Sequence, residues 1–209
     1  MVRRALPVRF TGGFGPGDSA VIRVVLNLAA SEAGWLACVF GAANGMPWAG
    51  PLLVLILVAM HLRLSKRPGR ELGLVMSAVL VGLLADSFLV FSGLVTYPSG
   101  TWIDGLAPYW ILAMWAMFAT TLNVSMKWLR NRNILAAALG AVGGPLAYFA
   151  GQELGAITFN HPVLALAALA GIWAVAMPLL MALSTRLDGV SDTPKPEFIQ
   201  ADWRVSHHA

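Results

Sequence analysis

Long apolar runs alternate with short polar segments along the whole chain. Six runs predict helices at about 20–41, 47–64, 71–95, 107–128, 134–151 and 162–184. Each run is close to the roughly 20 apolar residues that a helix needs to cross about 30 Å of hydrocarbon. The pattern therefore predicts an all-α polytopic membrane protein, a bundle of six transmembrane helices over residues 20–184.

The basic residues fall in alternate connections between these runs. All fourteen Lys and Arg lie in four segments or in the run ends that border them: before the first run, between the second and third, between the fourth and fifth, and after the last. They are Arg3, Arg4, Arg9, Arg23, Arg63, Lys66, Arg67, Arg70, Lys127, Arg130, Arg132, Arg186, Lys195 and Arg204. Because cytoplasmic loops are enriched in Lys and Arg, this alternation predicts that both termini are cytoplasmic.

Composition supports the membrane assignment and narrows the partners. At 58% hydrophobic and 11% charged residues, the chain is too apolar for a soluble domain. The formal charge of +4 is scattered over the predicted cytoplasmic loops, where anionic lipid headgroups account for it. We therefore expect membrane lipids as partners, and no nucleic acid.

The ends of the chain are polar. Residues 1–19 are basic and Gly-rich, which predicts a flexible cytoplasmic leader, and residues 185–209 predict a disordered cytoplasmic tail. The glycines of the leader do not have phosphate-loop spacing. The adjacent His207 and His208 do not make a closed metal site. No metal, cofactor or catalytic residue is expected.

Two acidic residues fall within predicted spans, where ionisable groups are costly and therefore candidates for function. Glu32 is expected near the membrane midplane and Asp86 nearer the outer side. They would form a proton or cation path, or would tie helices together through hydrogen bonds. Trp115 is also deep in a span, and its indole N–H needs a partner such as Glu32 or Asp86.

A second polar group is expected nearer the cytoplasm. Asn27 and Asn123 would bridge helices through their side-chain amides. Alternatively, Arg23, His61 and Lys127 would form a pocket for an anion or a lipid headgroup.

The fifth run carries the strongest local signal. Gly140 and Gly144 form a GxxxG pair that lets two helix backbones approach closely. Pro145 removes a backbone hydrogen bond, so a helix break is predicted at Gly144 and Pro145. Tyr148 and Gln152 lie just beyond it, and a substrate site at this discontinuity is one interpretation. A kinked packing helix is the other.

Several short segments together resemble a known family. They are Asn27, Gly34-Trp35, Cys38-Val39, Ala85-Asp86-Ser87, Ala107-Pro108, Trp110, Leu122-Asn123, Gly144-Pro145-Leu146-Ala147-Tyr148 and Gly151. They are similar to a family of small, uncharacterised bacterial inner-membrane proteins, a domain of unknown function with six transmembrane helices. The resemblance covers about residues 20–184 and implies a proteobacterial inner-membrane location. It also implies an association with lipid metabolism, because relatives tend to be encoded near fatty-acid-modifying enzymes. Glu32 departs from the neutral residue that we expect there in relatives.

Three functions remain open from the sequence. The leading hypothesis is small-molecule transport or lipid handling through a polar intramembrane cavity. Its wall would contain Asn27, Glu32, Asp86, Asn123 and Tyr148. The alternative is a non-catalytic membrane scaffold for a lipid-modifying enzyme. An intramembrane enzyme is less favoured because no nucleophile or metal set accompanies the two acids.

Overall fold

The described part of the chain is mostly helical. A computed structural model describes residues 16–191, with side chains from residue 20 onward. Within that range lie α1 (Pro16–Ala43), α2 (Ala49–Leu64), α3 (Pro68–Phe91), α4 (Tyr109–Leu122), α5 (Asn133–Glu153) and α6 (Pro162–Arg186). A short 3₁₀ helix, Lys127–Leu129, follows α4, and β1 (Val95–Thr96) pairs antiparallel with β2 (Thr158–Phe159). Most of the predicted leader and tail lies outside the described residues.

The six helices occur where the apolar runs predicted them, with corrected ends. Among the described residues, α1, α3, α5 and α6 are long and apolar enough to cross a membrane. The apolar helices α2 and α4 are shorter, at 16 and 14 residues. α3 ends at Phe91, because Gly93 has a φ of 69°. Glycine adopts this left-handed conformation without strain, and it stops the helix before the predicted residue 95.

The central helix of the bundle is α4, which packs against α1, α2, α3 and α6. α5 packs mainly against α6, and it does not pack extensively against α1. Glycines allow several of these close approaches. A Cβ atom on Gly82 of α3 would overlap the Trp115 indole of α4, and one on Gly50 of α2 would overlap the backbone of Cys38 in α1. Because α5 packs against α6 and not extensively against α1, a cleft lies between α1 and α5, and α4 forms its floor.

The predicted break at Gly144 and Pro145 is absent. α5 is one uninterrupted helix from Asn133 to Glu153. Gly140 and Gly144 face α6, where added Cβ atoms would overlap the backbone carbonyl and the indole of Trp173, respectively. Continuous packing against α6 offsets the hydrogen bond that Pro145 cannot donate.

Candidate functional site

Asp86 is enclosed by hydrogen-bond donors in the C-terminal part of α3. Its Oδ1 atom accepts hydrogen bonds from the Tyr97 hydroxyl at 2.7 Å and the Tyr148 hydroxyl at 2.6 Å. Its Oδ2 atom accepts one from the Trp115 indole N–H at 2.8 Å. The side chain is fully buried. Asp86 thus links α3 to α4, to α5 and to the loop after β1.

Aromatic packing holds this cage in place. Trp115 stacks on Trp173 of α6, with ring centroids 4.5 Å apart and planes 9° apart. Tyr97 packs edge-to-face against Trp110 at 5.7 Å. The rings exclude water from the hydrogen bonds, which strengthens each of them. A carboxyl group held by three neutral donors is suited to joining helices.

A second buried acid, Glu71, lies in the first turn of α3 and organises the opposite end of the bundle. Its Oε2 atom lies 2.8 Å from Nε2 of His61. Its Oε1 atom accepts hydrogen bonds from the Asn123 amide at 2.6 Å and the Gly189 backbone N–H at 2.7 Å. Asn123 also donates to the Leu187 carbonyl at 3.3 Å. This cluster fixes α2, α3 and α4 to the segment after α6.

Arg130 extends the cluster to the residues after α6. Its guanidinium donates to the Asn123 side-chain oxygen, and it forms an ion pair with Asp188 at 2.8 Å. Partial burial tends to raise the pKa of Asp188. Hydrogen bonds from Ser191 and Arg130, together with the positive charge of Arg130, lower that pKa to about 2. Residues 187–191, predicted as the start of a disordered tail, are therefore fixed to the bundle.

Along α3, apolar residues separate the two buried acids. Glu71 and Asp86 are fifteen residues apart on α3, about 22 Å at 1.5 Å per residue. The buried residues between them on that helix are Leu74, Val75, Ala78 and Gly82. The two clusters are therefore separate polar contacts at opposite ends of an apolar interior.

One cavity lies between α1 and α5 and is lined by apolar side chains. Its volume is about 370 Å³, and its walls include Trp35 of α1, Met114 and Phe118 of α4, and Gly143 and Ala147 of α5. An adjoining cavity of about 450 Å³ shares Trp35, Met114, Phe118 and Ala147. We call these two cavities together the lateral groove.

The lateral groove opens sideways. Leu139 and Leu146 of α5 lie at its edge, and they are 43% and 61% exposed. On α5 the groove reaches from Leu139 to Gly151, about 18 Å along the helix axis. Tyr148 also lines it with its ring, while its hydroxyl binds Asp86.

Glu32 lies on the wall of this groove and away from Asp86. It is exposed, and it lines the part of the groove formed with Leu28 and Ser31. Within residues 16–191 its carboxyl group makes no hydrogen bond or ion pair. Glu32 and Asp86 share no contact there either, so the structure does not bring the two predicted acids together.

Asn27 and Gln152 hold neighbouring segments. The Asn27 amide donates to the Thr120 carbonyl at 3.2 Å, and its side-chain oxygen accepts a hydrogen bond from Ser125 at 2.8 Å. Asn27 thus bridges α1 to the end of α4, one of the two predicted roles. The Gln152 side-chain oxygen accepts a hydrogen bond from the Phe159 backbone N–H at 3.0 Å. Both side chains are used in positioning the backbone.

Arg23, His61 and Lys127, the candidates for a headgroup pocket, have different neighbours. His61 contacts Glu71, and Lys127 donates to the Ser191 hydroxyl at 2.6 Å. Arg23 is exposed on α1, and no hydrogen bond joins it to His61 or Lys127 in the described part of the chain. His61 and Lys127 thus have separate partners, and a headgroup pocket built from the three side chains stays a prediction.

Comparison with known proteins identifies a family but supplies no activity. A family model described as a protein of unknown function (DUF2878) matches residues 24–179. The chain belongs to this family. No curated protein and no solved structure matches it. The family resemblance inferred from the short segments is thus confirmed, and the match covers the groove of this DUF2878 member together with Asp86 and Glu71.

Sequence reasoning missed four residues that matter in this DUF2878 protein. From the sequence alone, Glu71 is only the start of a predicted helix, and Arg130 is only a marker of topology. Tyr97 and Asp188 lie outside the apolar runs and carried no signal of burial. The pair His61 and Glu71, on the two sides of one short connection, was the available clue, because an acid and a histidine so placed can meet across a helical hairpin.

Proposed function

We propose that the protein handles membrane lipid by holding a hydrocarbon chain in the lateral groove. The observation that supports this proposal is the groove itself, an apolar cleft that opens sideways between α1 and α5. Both helices are long and apolar enough to span a membrane. In a bilayer, the molecules beside such an opening are lipid chains. A volume of about 370 Å³ lies within the roughly 300–1,000 Å³ of typical ligand sites.

The lining favours a hydrocarbon chain over a polar solute. A path for polar solutes needs polar groups that are free to exchange partners. Asp86 and Glu71 are instead fully engaged with neighbouring side chains, and of the three acids only Glu32 on the groove wall has no hydrogen-bond partner among residues 16–191. One acidic group without a partner does not make a continuous polar path. The floor of the groove, Met114 and Phe118, offers dispersion contacts with no hydrogen-bonding group. Of the transport and lipid-handling hypotheses, lipid handling is better supported.

We further propose that all six helices lie in a bacterial inner membrane, with both termini cytoplasmic. The alternation of basic connections supports this topology. At 14 residues α4 is about 21 Å long. It is surrounded by α1, α2, α3 and α6. Because these helices shield most of its surface from lipid, α4 does not have to be as long as the hydrocarbon layer is thick. α2 is about 24 Å long by the same measure.

The groove can be filled without disturbing the bundle. Gly143 lines the groove, and a Cβ atom placed there meets nothing within 4 Å. We expect Gly143→Leu to occupy the space of the bound chain. Gly171 on α6 provides the matched control, because it is exposed and its added Cβ atom also meets nothing within 4 Å.

The test uses phosphatidylethanolamine vesicles in which one acyl chain carries a photoactivatable diazirine. In the wild type and in Gly171→Leu, we expect crosslinks to Met114 and Phe118 at the groove floor. In Gly143→Leu those crosslinks should be lost, while crosslinks to exposed residues such as Leu55 of α2 persist. Equal labelling of the groove floor in all three proteins would contradict the proposal.

The scaffold hypothesis makes a different prediction in the same experiment. The enclosed Asp86 favours it, because three hydrogen bonds to one carboxyl group stabilise a rigid bundle. A scaffold without a bound lipid would show no labelling of Met114 or Phe118 in the wild type. That result would contradict the lipid-handling proposal and support the scaffold hypothesis.

A further inference from the structure

Glu32 is the feature of the groove that lipid-chain binding alone does not explain. It lies twelve residues after Ala20 and eleven before Ala43, at the middle of the span Ala20–Ala43. It lines the groove and has no hydrogen-bond partner among residues 16–191. An acidic group at this depth is costly to keep without a partner. The molecule that fills the groove can supply the partner.

We infer that the groove selects a lipid whose hydrocarbon chain carries a hydroxyl group at the depth of Glu32. The inference rests on the proposed function and specifies its ligand. The chain fills the space between Trp35 and Ala147, and the hydroxyl group binds the carboxyl group. Ser31, which lines the same wall, is a second polar neighbour for that hydroxyl.

A hydroxyl group fits Glu32 better than the alternatives. It donates a hydrogen bond to an ionised carboxylate and accepts one from a protonated carboxyl group, so it pairs with either form. An ammonium group would have to bring its own charge to the middle of the bilayer, which costs much more than a neutral hydroxyl. A phospholipid headgroup stays at the interface, about 15 Å away. The donor must therefore be on the chain.

The test compares two probes that differ only in that group, 12-hydroxyoctadecanoate and octadecanoate. Each competes for the groove of the detergent-solubilised protein against the diazirine-bearing phospholipid, and loss of labelling at Met114 and Phe118 measures displacement. We expect the hydroxylated chain to bind the wild type about tenfold more tightly, the effect of one hydrogen bond to a carboxyl group. In Glu32→Leu most of this preference should be lost.

A conservative variant separates the hydrogen bond from general effects of substitution. Glu32→Gln keeps a hydrogen-bond acceptor and should retain a preference for the hydroxylated chain. Because Glu32 is exposed, neither variant removes a packing contact of the bundle core. Equal affinity of the two probes for the wild type overturns the inference, and so does an undiminished preference in Glu32→Leu.

The outcomes also distinguish this inference from the proposed function. If both probes displace the phospholipid equally from the wild type and Gly143→Leu blocks both, the groove binds lipid chains without selecting a hydroxyl group. If neither probe displaces it and the groove floor is never labelled, lipid binding itself is wrong, and the inference fails with it.

Discussion

Asp86 shows how a single buried acid can hold three segments together. It accepts hydrogen bonds from the loop after β1, from α4 and from α5. The need of the Trp115 indole for a buried acceptor was predictable from sequence, and Asp86 fills it. Tyr97 was not predictable, because it lies in a connection and is brought inside only when that loop folds over the end of the bundle.

Replacing Asp86 should destabilise the fold in proportion to the donors left without a partner. Asp86→Leu leaves the two tyrosine hydroxyls and the indole N–H without their acceptor, and each unpaired donor should cost about 1–3 kcal/mol of unfolding free energy. Asp86→Asn keeps one acceptor oxygen, so we expect its loss of unfolding free energy to be smaller by several kcal/mol. Unfolding in mixed micelles, followed by tryptophan fluorescence, measures both. Equal stability of the two variants would show that the hydrogen bonds contribute little.

Asp188 makes stability depend on pH. Its pKa is about 2 in the folded protein and about 3.9 in an unfolded chain. Its contribution is thus fully present above pH 4 and is lost as the pH falls toward 2. Measured against pH, the unfolding free energy of the wild type should fall more steeply than that of Asp188→Asn across this interval. Parallel curves would exclude the ion pair with Arg130 as a stabilising contact.

At the scale of elements, α5 uses glycine on two faces for two purposes. Gly140 and Gly144 lie against α6, and Gly143 lines the lateral groove. The GxxxG spacing predicted a close helix contact, but it could not say which helix would be the partner. Only the packed bundle assigns one glycine face to α6 and the other to the groove.

Alanine substitutions should separate these two faces. Gly140→Ala places a methyl group against the Trp173 carbonyl and should cost about 1–3 kcal/mol of unfolding free energy. Gly143→Ala meets no atom and should be neutral or stabilise by up to about 1 kcal/mol, since alanine favours helix. Both are compared with the wild type by thermal unfolding in detergent. A destabilised Gly143→Ala together with an unaffected Gly140→Ala would contradict the assignment of faces.

At the scale of the whole molecule, polar contacts lie at two levels. The Glu71 cluster closes the cytoplasmic end of the proposed topology, and the Asp86 cage closes the outer end. Between them the interior is apolar, and the groove runs along its side. This distribution anchors both ends of the bundle while leaving the lateral groove open between α1 and α5.

The topology can be tested by labelling single cysteines in a Cys38→Ala background. Gly69→Cys and Thr101→Cys lie at exposed positions on opposite ends of the bundle. We expect a membrane-impermeant maleimide to label Thr101→Cys in intact cells, and Gly69→Cys only after the inner membrane is opened. The reverse pattern would invert the proposed orientation.

The helical class, the approximate position of each helix and the family all follow from the amino-acid sequence. Spans of apolar residues and the alternation of basic connections are local properties that need no knowledge of packing. Only the tertiary structure decided which polar groups meet. The Glu71 carboxyl group accepts hydrogen bonds from Asn123, which is 52 positions away, and from Gly189, which is 118 positions away. No local sequence pattern encodes these pairings. Packing likewise separates the two predicted acids, because Glu32 on α1 lines the lateral groove whereas Asp86 on α3 is buried in the core.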